Sequence, residues 1–241
     1  MSHVSCYCII MNESADFETL MQNGIDAHAK GEYVSALRYR LQAFELNEYP
    51  EPWDRGRAAR DIAASYDRLG GDPKLATYYA YTAYKEHGDL KDLNSERGAR
   101  EFTVSAMYAA IVAARQNKGD QALKYISEAW STSEDLKAKN GKPHQYDVNL
   151  VGRVAGIESV FATPTKKTLA IGKLAVQYAK ISETDQVLEP NTRKSDTEVK
   201  EAQRKALIRG WAARSIAWMQ LFPTRRITKP IAQTVLNKVV L

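Results

Sequence analysis

Cysteine is nearly missing from this sequence. Its two occurrences, Cys6 and Cys8, fall within the first ten of 241 residues. The body of the chain therefore has no disulfide framework, no thiolate nucleophile and no cysteine cage for a metal. That suits a reducing, cytoplasmic compartment. Long apolar runs are missing too. None approaches the ~20 residues that span a bilayer, so no membrane partnership is expected. Glycine (13) and proline (8) are too few for a collagen-like or low-complexity chain. No stretch alternates apolar and polar residues for long enough to make a strand. The motifs of chemistry are lacking as well: no GxxxxGK[ST] or GxGxxG phosphate loop, no GxSxG elbow, no HExxH helix. The four histidines, His3, His28, His87 and His144, stand far apart. The expectation is a protein that is not an enzyme and needs no cofactor and no metal.

What is present is ordinary for a folded globular chain: 44% hydrophobic and 26% charged residues. The charge is uneven. Residues 1–120 hold 14 basic and 18 acidic side chains, a net of −4, and residues 121–241 hold 20 and 11, a net of +9. Residues 193–229 carry ten basic and three acidic side chains, a modest basic end. The opening MSHVSCYCII has no Lys or Arg and only a short, interrupted apolar run, which is not the form of a signal peptide. Residues 1–14 are expected to be a flexible tail, with translation starting at Met1 or at Met11. In that tail His3, Cys6 and Cys8 offer three metal ligands and no fourth.

Alanine-rich segments with the helical period fill the rest. From Phe17 to Leu46 small and apolar residues recur every three or four positions, at Leu20, Gly24 and Ala27, then at Ala36, Leu37, Leu41 and Phe44. Between them Lys30-Gly31-Glu32-Tyr33 is a short turn with glycine where a helix stops. Two helices joined so closely must be antiparallel neighbours. The same unit returns. Ala58–Leu69 breaks at Gly70-Gly71-Asp72-Pro73, where Asp72 is an N-cap and Pro73 a first helical residue. A third pair turns at Lys118-Gly119-Asp120 and stops at Asn140-Gly141-Lys142-Pro143. A fourth turns at Thr163-Pro164. After a polar linker at Glu189-Pro190-Asn191, Ser195-Asp196-Thr197-Glu198 is a capping box for a long helix. Phe222-Pro223-Thr224 turns that helix, and Thr228-Lys229-Pro230 starts the last one. The units run over about 15–48, 53–88, 95–139, 144–183 and 195–241, within a single domain from 15 to 241.

Each of the first four second helices carries small residues seven apart: Ala36/Ala43, Ala76/Ala83, Ala122/Ala129 and Thr168/Ala175. Seven residues are two turns, so each pair shares one face on which a partner helix can approach closely. Their first members are separated by 40, 46 and 46 residues, a repeat period of α-solenoid size. At these residues the chain resembles the tetratricopeptide repeat family. Unit one has Gly24 inside its first helix, Gly31-Glu32-Tyr33 at the turn, Ala36 and Ala43 in its second helix, and Leu46 and Pro50 at its close. Unit two keeps Gly71-Asp72, Ala76 and Ala83. Unit three keeps Gly119-Asp120, Ala122 and Ala129, and unit four keeps Gly156 and Ala175. The period here is longer than the ~34 residues usual in the family.

The resemblance implies an all-α, TPR-like right-handed solenoid of about five antiparallel hairpins, with a concave groove that binds a protein or peptide. By alignment with the family, the groove-facing candidates are Met21, His28, Asp61, Ser65, Arg68, Met107, Arg115 and Arg153. They lack the lysine–asparagine pattern of the family's carboxylate clamp. Two other readings stay open: a peptide-sensing regulator that uses the same groove, and a nucleic-acid-binding solenoid that uses the basic C-terminal unit. Tyr79 and Tyr84 are expected in the core. Tyr78 and Tyr81 point to the other side of their helix, where burial on the next unit is the expectation. Trp211 and Trp218, seven apart with Arg214 between them, are expected to be core of the last unit, against the sharper alternative of a base-stacking platform.

Overall fold

The computed structural model describes residues 16–46, 48–91, 95–141, 145–162, 166–181, 196–220 and 225–241. Among them every regular element is helical. In chain order these are α1 Phe17–Ala29, α2 Tyr33–Phe44, α3 Asp54–Arg68, α4 Pro73–Lys91, α5 Glu96–Arg115, α6 Gly119–Asn140, α7 Gln145–Phe161, α8 Lys166–Ile181, α9 Asp196–Gln220 and α10 Arg225–Val235. A π-helical turn, Leu236–Val240, follows. The N-terminal tail, the linker around Pro190, the turns at 163–164 and 222–224, Ser195 of the capping box, and His3, Cys6, Cys8 and His144 lie outside the described residues.

Local chemistry sets these boundaries. Asp16, Asp72 and Ser95 cap α1, α4 and α5, each accepting a backbone N–H two or three residues on. The three odd helices α1, α3 and α5 end alike. A left-handed residue follows each, and the next N–H bonds to the carbonyl five residues back: Glu32 to Ala27, Gly71 to Tyr66, Lys118 to Ala113. The left-handed residue is Gly31 or Gly70 in the first two turns and Asn117 (φ 59°) in the third. The expected turn glycine there, Gly119, instead opens α6. Its missing side chain admits the Phe161 ring, which would stand 2.7 Å from a Cβ.

Two other boundaries differ from expectation. Helix α3 starts at Asp54, four residues before the apolar period sets in, because the buried Asp54 carboxylate takes the Glu51 N–H (3.0 Å) and Arg57 Nη1 (2.7 Å). Helix α10 starts at Arg225, so Pro230 lies inside it rather than at its head. One forfeited backbone bond is tolerated there.

Packing follows the chain. Each helix from α1 to α9 packs on the next, and α10 returns onto α9. The odd helices also touch in a row, α3 on α5, α5 on α7 and α7 on α9. The alanines of the seven-residue pairs are all buried, with Thr168 and Ala175. Helices α5 and α7 are apolar almost all round and buried accordingly: Phe102–Met107, Ala109–Ala114 and Leu150–Ile157 are continuous buried runs. They form the largest core together with Ile126, Ile171, Ile216 and Leu236. A smaller core at the N-terminal end joins Phe17, Leu20, Met21, Ala43 and Ala58.

Candidate functional site

Helices α3, α5, α7 and α9 bring polar side chains across the row they form. Arg115, the last residue of α5, forms an ion pair with Asp67 of α3. From α7, Arg153 directs Nη1 at the sulfur of Met107 on α5 (3.7 Å) and donates to its own helix at the Asn149 carbonyl (3.2 Å). From α9, Arg209 donates Nη1 to Asn149 Oδ1 (3.1 Å). So an arginine bridges each successive pair of helices in the row. Arg68, at the end of α3, stands beside Asp67 and donates to His28 Nε2 of α1 (2.5 Å).

The electrostatics are those of a cation cluster short of acid. Arg153 is 7% exposed, and its buried Nε has no hydrogen-bond partner. Burial pulls its guanidinium down to about 10, and the charges of Arg209 and Arg115 act the same way, against Tyr108. It is still protonated at neutral pH. Burial also lowers Arg115 and Arg209, and the Arg68 charge adds to the effect on Arg209. Among the described residues no carboxylate pairs with Arg153 or Arg209. Burial lowers His28 too, with the charges of Arg68 and Arg40 in support. Because a guanidinium only donates, His28 Nε2 accepts and its proton sits on Nδ1.

Toward the N-terminal end the arginines meet more acceptors, with the buried Arg40 Nε again unpartnered. Arg40 donates to Ser65 Oγ (2.6 Å), and Ser65 donates to the Asp61 carbonyl (2.8 Å). Arg60 holds Glu101 (2.6 Å) and approaches Asp61 (3.4 Å).

The expected groove residues are thus divided. Arg68, Arg115, Arg153 and Met107 come together. Asp61 and Ser65 hold the buried Arg40. His28 reaches the set through Arg68. Met21 is packed in the N-terminal core. Asn149, Arg209 and Asp67 were missed. Asn149 is one turn before Arg153 and was legible in principle. Arg209 was assigned to the basic end because it lies in the first helix of unit five, and the alanine pairs were read only in second helices.

Two aromatic expectations are corrected. Tyr78 and Tyr81 are exposed, because no described helix covers that side of α4, whereas Tyr79 and Tyr84 pack against the core. Trp211 and Trp218 are 50% and 56% exposed. With Arg204, Ile208 and Ser215, all exposed, they make one stripe along α9 at spacings of four and three. Arg214 lies over the Trp211 ring, 5.2 Å from its centroid. Arg193 and Lys194 of the basic end lie outside the described residues.

Among the described residues no group of three or more His, Cys, Asp or Glu side chains is placed to hold a metal. No described helix is long and apolar enough to cross a membrane. No protein-family model, curated protein or solved structure matches the chain, so the chemistry of the site alone carries its reading.

Proposed function

We propose that this chain is a non-catalytic protein- or peptide-binding module, a cytoplasmic TPR-like solenoid whose working surface is the face shared by α3, α5, α7 and α9. One observation carries the reading. The arginines on that face bridge successive helices while two of them, Arg153 and Arg209, have no acidic partner among the described residues. Cations collected along a row of helices suit an extended chain bearing negative groups, because arginine presents a planar fork of five donors. A peptide-sensing regulator is a particular use of the same face.

An array of extended peptides, acidic and neutral, with free and amidated C-termini, tests this. Acidic hits should bind the native chain and weaken with Arg115→Glu by about 2–5 kcal/mol where the contact is dry, and by less at a wet rim. The loss should not occur with Tyr78→Ala or Tyr81→Ala on the far side of α4. Binding that ignores Arg115 and Arg153 but falls with the tyrosines would overturn the assignment of the face.

The half-exposed Trp211 and Trp218, with Arg214 over the first ring, favour a second reading. Single-stranded nucleic acid stacks on such rings while cations track its backbone. Under this reading Trp211→Ala and Arg204→Gln weaken binding, and affinity falls steeply with salt. Under the first reading neither change matters.

A further inference from the structure

A buried guanidinium normally has a carboxylate, because the cost of taking its charge from water is otherwise uncompensated. Among the described residues Arg40 and Arg153 are the exceptions. Arg40 has the Ser65 hydroxyl and the Asp61 carbonyl, whereas the charges that act on Arg153 are those of two further arginines, Arg209 and Arg115. Arg153 is 7% exposed, its Nε is unpartnered, and its Nη1 meets only a carbonyl and a thioether. Arg209 is tied to the same residue, Asn149, through the side-chain oxygen at 3.1 Å. Packing alone does not account for this arrangement, since an apolar side chain of similar length would fill the space between α5 and α7 without the charge.

The charge count narrows the ligand. Asp67 neutralises Arg115 and solvent screens the exposed Arg68, which leaves two shielded charges without an acid among the described residues, on Arg153 and Arg209. A carboxylate cancels one of them and a phosphate dianion cancels both. The two forks come from different helices. A carboxylate offers its oxygens in one plane, whereas a phosphate monoester offers three oxygens in three directions. The cluster is not closed off from solvent: the Arg115 side chain keeps 30% of its exposure, and Arg209 is only partly buried.

We propose that Arg153 and Arg209, with Arg115 at the entrance, form a binding site for a phosphate group, supplied either as free phosphate or as a phosphorylated side chain of a bound peptide. The site deepens the groove reading given above and rests on it for the peptide source. Inorganic phosphate tests it with no peptide present.

The experiment is calorimetric titration and thermal melting of the full chain at pH 7.5 with inorganic phosphate. Chloride and acetate at matched ionic strength serve as controls. Saturable phosphate binding that raises the melting temperature is expected, with acetate and chloride inert. Arg153→Gln and Arg209→Gln should each weaken phosphate by about tenfold or more, as loss of a charge-assisted fork does. Arg204→Gln, exposed on the stripe of α9, should not. In chloride alone Arg153→Met should melt no lower than the native chain, since no buried acid is left behind. A phosphoserine peptide that binds more tightly than both inorganic phosphate and its unphosphorylated form identifies the peptide as the source. Equal affinity for the phosphopeptide and inorganic phosphate identifies free phosphate.

Three results overturn the site: no saturable effect of phosphate beyond that of chloride, equal binding of acetate, or binding unchanged by both glutamine variants. Phosphate binding together with failure of every peptide leaves the site standing and removes the groove reading. Acidic peptides that bind through Arg115 while phosphate does not bind remove the site alone.

Discussion

His87 meets burial in the opposite way to Arg153, by giving up its charge. It is fully buried in α4, with Ser105 Oγ at 2.7 Å from Nδ1 and the Trp53 carbonyl at 2.9 Å from Nε2. A carbonyl only accepts, so the proton sits on Nε2 and Nδ1 takes the Ser105 hydroxyl proton. Burial, then the Arg60 charge, with Arg57 acting the same way, lowers the ring to about 4; the Trp53 carbonyl and Glu101 oppose them. The unfolded chain, with an ordinary histidine near 6.5, therefore binds the proton first as pH falls. Above that value His87 has no pH effect on stability. Between 6.5 and 4 the folded state loses up to about 3 kcal/mol, and below 4 the loss is complete. Glu101 joins only below the ordinary carboxylate range: burial would raise it, but Arg60 outweighs burial and holds it low. Urea midpoints across this range should drop for the native chain and stay flatter for His87→Gln. A native profile level from pH 7 to 5 would show that the ring is not held neutral. The same ring makes Gly56 irreplaceable, since a Cβ there would lie 2.4 Å from His87 Nε2. Gly56→Ala should cost on the order of 1–3 kcal/mol in chemical denaturation, and an unchanged midpoint would mean that the ring can move. In the sequence His87 was only one of four scattered histidines. Its burial depends on a glycine 31 positions earlier, a relation that local periodicity does not carry.

At the scale of the element, the alanine pairs and the turn glycines were legible because both are local. A seven-residue recurrence needs no knowledge of the partner helix, and a left-handed stop needs only its glycine. Ala83 is buried at the crossing of α4 with its neighbours, so Ala83→Leu should overpack it and cost on the order of 1–3 kcal/mol. Unchanged melting would sink the spacing rule. The third turn was legible in place, but its left-handed residue is Asn117 and not the expected Gly119. Asn117 holds the left-handed place at φ 59°, which asparagine tolerates better than residues with larger side chains. Asn117→Gly should leave stability equal or slightly higher, and Asn117→Ala should lower it by about 1 kcal/mol. The reverse order in denaturant titrations would show that the Asn117 side chain, not its backbone, stabilises the turn. The exposure of Tyr78, Tyr81, Trp211 and Trp218 was not legible in this way. Periodicity tells which residues share a face of α4 or α9, but which face is covered depends on the elements that pack beyond it.

At the scale of the whole molecule, packing that follows chain order makes stability local. The N-terminal hairpin α1–α2 meets the rest mainly through α3, where Phe17 joins Ala43 and Ala58 and Arg57 of α3 lies over the Phe17 ring at 5.6 Å, with Phe44 edge-on to Tyr79 of α4 at 5.3 Å. The large core of α5 to α10 contains none of these residues. In such a stack, stability is approximately a sum of units and nearest-neighbour interfaces, and opening is confined to the unit that is weakened. Phe17→Ala removes the ring at the centre of the small core, at a cost of about 3–5 kcal/mol. Hydrogen exchange should then quicken across Phe17–Ala29 and Tyr33–Phe44, fade through α3, and leave the amides of α7 and α9 as protected as before. A chain that unfolds as one cooperative body would instead lose protection everywhere by the same factor. That outcome would mean that the row of odd helices, rather than each interface in turn, holds the molecule together.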